Sequence, residues 1–198
     1  MPTAAFTTLG CKVNQYETQQ ILESFERAGF VVVPFDAQAD IYVVNSCSVT
    51  SVAEGKSRYT VRKARRANPD ATVVVTGCAA QTSLRKQEAF EGAVVLVPNP
   101  EKAESLAHLL RARPALAEDL VPRDRTTAPA ALGRTRATLK IQDGCNVYCS
   151  YCSIPFTRPV MRSRPIDEVM DEARKLVRQG FLELVLTGVL IGSYGPET

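Results

Sequence analysis

Two stretches of this chain, DIYVVNSC (residues 40–47) and ATVVVTGC (residues 71–78), leave it little freedom in what to fold into. Each is apolar in consecutive rather than alternating positions, so both faces of the strand must be covered. Helical periodicity lies between and around them. Residues 4–10 read as a strand and turn, and Asn14 reads as a helix cap with Glu17 three positions on, a capping-box pattern. Ile21, Leu22, Phe25 and Ala28 fall on one face of that helix, which Gly29 ends. FVVVPF is a second strand, and Thr50 opens a helix to about Asn68, stopped by Pro69. After the fourth strand come a helix over 81–90, a fifth strand at AVVLV and a helix over 101–113. Repeated βα units of this kind predict an α/β domain built on a parallel sheet, spanning residues 1–113.

From 114 to 136 prolines and arginines replace any sustained period, which predicts a linker. ATLKIQ then reads as a strand, Pro165 starts a helix running to Gln179 that Gly180 ends, and LELVLTG is a further strand. A single βαβ unit cannot bury its own strands, so the second domain, 137–198, reads as cut short. The 198 residues hold no apolar run long enough for a bilayer and no charged-then-apolar leader, which predicts a soluble, unexported, cytoplasmic chain. The net charge of +3 permits a polyanionic partner without demanding one.

Six cysteines in such a chain argue against a disulfide framework. Cys11, Cys47 and Cys78 each follow the end of a predicted strand after one or two small residues. All strand carboxyl ends of a parallel sheet lie along one edge, so sulfurs 36 and 31 residues apart would converge there. The bland alternative is three small buried hydrophobes, the usual fate of a lone cysteine. Cys145, Cys149 and Cys152 lie within eight residues as C-x3-C-x2-C, a spacing that lets one loop wrap an iron–sulfur cubane. Zinc completed by a fourth ligand from elsewhere is the alternative; Cys11, Cys47 or Cys78 could lend one, but that would strand the remaining two. The single histidine, His108, sits on a helix of the first domain and reads as a surface or helix-end residue. Two groups of three fit better than a four plus two. Three protein ligands leave one iron open, as catalytic zinc sites leave a position open for what they activate.

The C-x3-C-x2-C loop after a strand resembles the radical S-adenosylmethionine enzymes. The resemblance implies a 4Fe–4S cluster on Cys145, Cys149 and Cys152 whose open iron is chelated by S-adenosylmethionine, from which an electron generates a 5′-deoxyadenosyl radical. Tyr151 matches the aromatic that contacts the adenine, and Thr187 and Gly188, in LTGVLIGSYG, match the cofactor-binding segment after the second barrel strand. TLGCKVNQYET, VVNSCSVT, VVVTGCAAQ and CSIPFTRPVMRSRP resemble, in order, the methylthiotransferase family. The first segment looks most like the branch acting on threonylcarbamoyladenosine in transfer RNA. The resemblance implies that Cys11, Cys47 and Cys78 hold a second 4Fe–4S cluster carrying the sulfur that is transferred, and that the second domain is the start of a radical SAM βα barrel. It also implies a tRNA substrate, a low-potential electron donor and a cytoplasmic monomer. Alternatives are the branches acting on isopentenyladenosine in tRNA or on a ribosomal protein, and a non-catalytic metal-binding module. Pro159, where the family commonly has Gly, and Leu190, in place of a polar residue, depart from the pattern. Most of the barrel and the family's C-terminal RNA-binding domain lie outside these residues.

Lys56, Arg58, Arg62, Lys63, Arg65 and Arg66 crowd one predicted helix with no acid from 55 to 69. Such a run is ordinarily a solvated face. With an RNA substrate implied, Arg58, Arg62, Arg65 and Arg66 become candidate phosphate contacts, which give affinity without sequence information.

Overall fold

In the computed structural model, which describes residues 1–123 and 135–195, the first of two units, Met1–Arg125, is built on five parallel strands. These are β1 (Thr3–Thr8), β2 (Val31–Val33), β3 (Ile41–Ser46), β4 (Thr72–Gly77) and β5 (Val95–Leu96), in the spatial order β2-β1-β3-β4-β5. Every residue of β3 and β4 is buried. Alternate side chains feed opposite cores. Ala4, Phe6, Ile41, Val43 and Val74 pack with Ile21, Leu22 and Phe25 of helix α1 (Lys12–Ala28) and Leu109 of α4 (Ser105–Ala112). Ala5, Tyr42, Val44, Val73 and Val75 pack with Val61 and Ala64 of α2 (Ser51–Ala67) and Ala79 and Ala80 of α3 (Cys78–Lys86). Each such side chain contributes roughly 1.5–3 kcal/mol by leaving water. This two-sided burial is why the strands read as unbroken apolar runs.

The strand order is that of flavodoxin-like doubly wound folds, in which chain direction across the sheet reverses between β1 and β3. In such folds ligands bind outside the strand carboxyl ends at that reversal. The loops leaving β1 and β3 carry Cys11 and Cys47.

Several local expectations change. Cys11, not Asn14, is the N-cap of α1, and no side chain caps that helix end. Asn14 lies inside the first turn, buried, and holds loop carbonyls instead. Helix α3 begins at Cys78 rather than at 81 and ends at Lys86. The helix expected over 101–113 is split into a 3₁₀ turn, Asn99–Glu104, and α4. The first part of the stretch read as linker is docked on the first unit. Pro114–Asp119 forms a 3₁₀ turn, Leu116 and Leu120 pack on the α1 core, and Arg123 donates its backbone N–H to Arg27. His108 is paired with Glu101, 2.9 Å away.

In the second unit, β6 (Ala137–Lys140) and β9 (Leu184–Thr187) pair in parallel, linked through α6 (Ile166–Arg178). Leu139, Ile141 and Val169 form its small core, with Ala173 and Tyr194 against it. Between these elements, β7 (Gln142–Asp143), a short helix α5 (Ile154–Thr157) and β8 (Arg162–Ser163) complete the unit. The antiparallel β7–β8 pair was not anticipated; it folds the cysteine loop back on its own base. Among the described residues no helix is long and apolar enough to cross a membrane.

Candidate metal centres

Cys47 and Cys78 each stand one residue beyond the register pair Ser46↔Gly77, at the carboxyl ends of adjacent strands. On the other side of β3, Thr8 of β1 pairs with Asn45, Leu9 extends the ladder to the Asn45 carbonyl, and Cys11 follows two residues later. The three cysteines thus leave three neighbouring strands at one sheet edge. Gly10 adopts φ +96°, and a Cβ there would lie 2.7 Å from the Cys47 sulfur. Only glycine lets these two loops approach so closely.

A polar lattice fixes this edge. The buried Asn14 amide donates to the carbonyls of Leu9 and Ser46, at 2.8 and 3.0 Å, joining the loops that carry Cys11 and Cys47. Ser46 Oγ donates to the Thr76 carbonyl and accepts from the Ala80 N–H, joining the Cys47 strand to the Cys78 helix. Ser57 of α2 accepts from the Cys47 N–H and donates to its carbonyl, both at 3.0 Å. Cys11 caps α1 and Cys78 opens α3. Both cysteines therefore stand at helix N-termini. None of the six cysteines is in a disulfide. Cys47 and Cys78 are buried whereas Cys11 is exposed, and among the described residues no group of three His, Cys, Asp or Glu side chains could hold a metal ion as it stands. Soft thiols outside any disulfide, set around a glycine gap, are donors of the kind an iron–sulfur cluster takes.

In the second unit, Cys145, Cys149 and Cys152 are half-buried along one loop. The Cys152 N–H donates to the Cys149 carbonyl at 2.9 Å, and Tyr148, just before that turn, takes a left-handed φ of 52°. Gly144, at φ +76°, brings the start of the loop against the Val160 carbonyl, 2.1 Å from where a Cβ would lie. Gln142, fully buried, ties the loop to the segment after β9. Its Nε2 donates to the carbonyls of Asp143 and Gly144 at 2.7 and 2.9 Å, and its Oε1 accepts from the N–H groups of Val189 and Leu190 at 2.9 and 2.7 Å. Gly188 leaves room for this, since a Cβ there would sit 3.1 Å from Gln142 Oε1. Asp143 accepts from the buried Arg158 (2.6 Å), from Lys140 (2.9 Å) and from the Gly144 N–H (2.8 Å). Thr187 is buried, its carbonyl accepting from Ile141, whereas Tyr151 is 90% exposed. Pro159 is exposed and Leu190 is half-buried.

Residues 3–97 match the family described as Uncharacterized protein family UPF0004, and residues 139–194 match the Radical SAM superfamily. Along its whole length the chain is 42% identical to Threonylcarbamoyladenosine tRNA methylthiotransferase MtaB of Bacillus subtilis, of which it covers 46%. Along its whole length the chain is similar to radical SAM methylthiotransferases. It is also 33% identical to Ribosomal protein uS12 methylthiotransferase RimO of a Synechococcus species, over 99% of the chain and 42% of the relative. To tRNA-2-methylthio-N(6)-dimethylallyladenosine synthase of Methylacidiphilum infernorum it is 29% identical, over 100% of the chain and 45% of the relative. The chain spans about half the length of the curated relatives it matches. Membership of the radical SAM superfamily implies S-adenosylmethionine and 4Fe–4S chemistry.

Gln142 and Asp143 were not singled out from the sequence. A signal existed: Gln142 is a polar residue directly after the strand-like run ending at Ile141 and three positions before the first cysteine of the loop. Replacing Gln142 by Leu leaves two N–H groups and two carbonyls without their side-chain partner, at roughly 1–3 kcal/mol for each one that stays buried and unpaired. The expected result is loss of iron uptake by Cys145, Cys149 and Cys152 with uptake by the other triad retained. Iron analysis in a background lacking Cys11, Cys47 and Cys78 measures it, and full uptake there counts against the clamp.

Acids both near and distant in sequence meet the basic run of α2. Arg58 pairs with Glu54 at 3.0 Å and lies 4.8 Å over the Phe90 ring, and Arg65 holds the Ala71 carbonyl at 3.0 Å. Lys63 is hydrogen-bonded to Asp36, which raises its pKa above the ordinary lysine value. Arg62 reaches Glu91 only at 3.8 Å, and Arg66 lies 5.8 Å over the exposed Tyr59. Arg62 and Arg66 are exposed, while Arg58 and Arg65 are half-buried.

Proposed function

We propose that the protein is a tRNA methylthiotransferase that converts threonylcarbamoyladenosine next to the anticodon to its 2-methylthio derivative, using two 4Fe–4S clusters, one on each cysteine triad. The observation that carries the reading is the meeting of three adjacent strand ends, bearing Cys11, Cys47 and Cys78, at one sheet edge in a chain that also has the C-x3-C-x2-C loop. Similarity along the whole chain to MtaB proteins supports the choice of nucleoside.

An aromatic C–H bond is unactivated, and no side-chain base opens it; S-adenosylmethionine with the clusters supplies the radical, the sulfur and the methyl group. The residues of this chain hold and orient. Cys145, Cys149 and Cys152 would grip one cluster by three corners on a loop anchored by Gln142 and by the Asp143–Arg158 pair. Tyr151, Thr187 and Gly188 would border the S-adenosylmethionine, with the Gln142 oxygen keeping the backbone after Gly188 in place. Cys11, Cys47 and Cys78 would grip the other cluster, supported by the helix N-termini. Arg62 and Arg66, the exposed members of the basic helix, would touch RNA phosphates, and Arg58 and Arg65 would brace that helix. A low-potential electron donor, a monomeric state and a cytoplasmic site of action complete the reading. Nucleoside analysis of tRNA from cells with and without the gene is the test. The 2-methylthio derivative of threonylcarbamoyladenosine should vanish on deletion, and an unchanged level removes the substrate assignment.

A further inference from the structure

We infer that Asn99 is a positioning residue for the cluster on Cys11, Cys47 and Cys78, its side-chain amide donating an N–H···S hydrogen bond to Cys78 that sets how readily this cluster is reduced. The inference rests on the reading that these three cysteines hold a cluster. Asn99 lies three residues beyond β5, at the same carboxyl edge as the cysteines, and is 6% exposed. Its Nδ2 stands 4.0 Å from the Cys78 sulfur, the long end for a donor to sulfur. The residue is held from several sides. Its backbone N–H donates at 2.9 Å to Oε1 of Gln81, on the helix that Cys78 opens. Pro98 and Pro100 flank it and restrict φ on either side. The 3₁₀ turn it begins is locked to α1, the helix capped by Cys11, through the buried Lys102–Glu17 pair at 2.7 Å. One turn therefore touches the Cys78 sulfur and is braced against the two helices that carry Cys11 and Cys78.

An amide N–H aimed at a thiolate draws charge from it, and the benefit grows as the cluster gains an electron. Hydrogen bonds to cluster sulfurs are among the main determinants of reduction potential. Asn99 thus favours the reduced state, and its removal makes that state harder to reach.

The test uses the anaerobically reconstituted chain with Cys145, Cys149 and Cys152 replaced by Ala, so that only the first triad's cluster is seen. In a redox titration followed by electron paramagnetic resonance, Asn99→Leu is expected to take up the same iron as its parent and to shift the midpoint to a more negative potential. An unmoved midpoint at full iron loading overturns the inference. Should Asn99→Leu take up no iron, the parent decides the matter. With asparagine labelled with ¹⁵N in the side-chain amide, the reduced cluster should show a ¹⁵N coupling in electron spin-echo modulation, and absence of that coupling overturns the inference. A parent that takes up no iron is a different result, which removes the cluster reading and this inference with it.

Discussion

Reconstituted under anaerobic conditions with iron and sulfide, the chain should take up about eight irons, and replacement of either cysteine triad by alanine should bring this to about four. The expectation follows from how the two sets of thiols are built. Cys145, Cys149 and Cys152 lie on one loop of the second unit, and Cys11, Cys47 and Cys78 on three strand ends of the first, so neither set needs the other for its ligands. Each set is also short of the four ligands that close a structural zinc site. Iron and sulfide analysis with visible absorption reads the result. One equivalent of zinc that survives both triple substitutions, with no iron retained, would leave the two-cluster scheme without a foundation.

Lys102→Met should destabilise the first unit by about 3–5 kcal/mol, lowering its Tm by on the order of 10 °C. Lys102 and Glu17 form an ion pair whose side chains are only 6% and 7% exposed. Methionine leaves the Glu17 carboxylate buried without its counter-ion, and the large cost is that of the stranded charge, not the net worth of the pair. Replacing both, as Glu17→Leu with Lys102→Met, should recover most of the loss, because apolar side chains of similar volume fill the space with no charge to desolvate. Thermal unfolding of the two single variants and the double variant forms the cycle. Additive losses in the double variant would show that the two side chains do not act as a pair.

Period and phase made the sheet legible: unbroken apolar strands separated by helical spacing leave no other covered arrangement, and the relation of each cysteine to its strand end needed nothing more. Asn14 was misjudged because its amide can satisfy either helix N–H groups or nearby carbonyls, and only the register of β1 against β3, which brings the Ser46 carbonyl within reach, decides between them. The charge run of α2 was open to misreading for the same reason. Asp36 and Glu91, which meet Lys63 and Arg62, are close only once the chain has folded. Residues 114–123 carry too little apolar periodicity to announce that Leu116 and Leu120 dock on the α1 core. Asn99 could have been found by the phase argument that singled out the cysteines, had it been applied to residues other than thiols. Arg125 and Arg134, part of the arginine-rich stretch read as linker, lie outside the described residues.

The unequal spacing of the two triads sets an order of maturation. Cys145 to Cys152 sit on eight consecutive residues, so a loop closure that takes well under a microsecond brings them together. Cys11, Cys47 and Cys78 become neighbours only when β1, β3 and β4 have paired in parallel, a non-local step that is slow for any chain. On the proposed two-cluster reading, the local loop is ready for iron first, while the dispersed set is assembled by the finished sheet. Damage to the sheet would therefore scatter Cys11, Cys47 and Cys78 while leaving Cys145, Cys149 and Cys152 together on their loop.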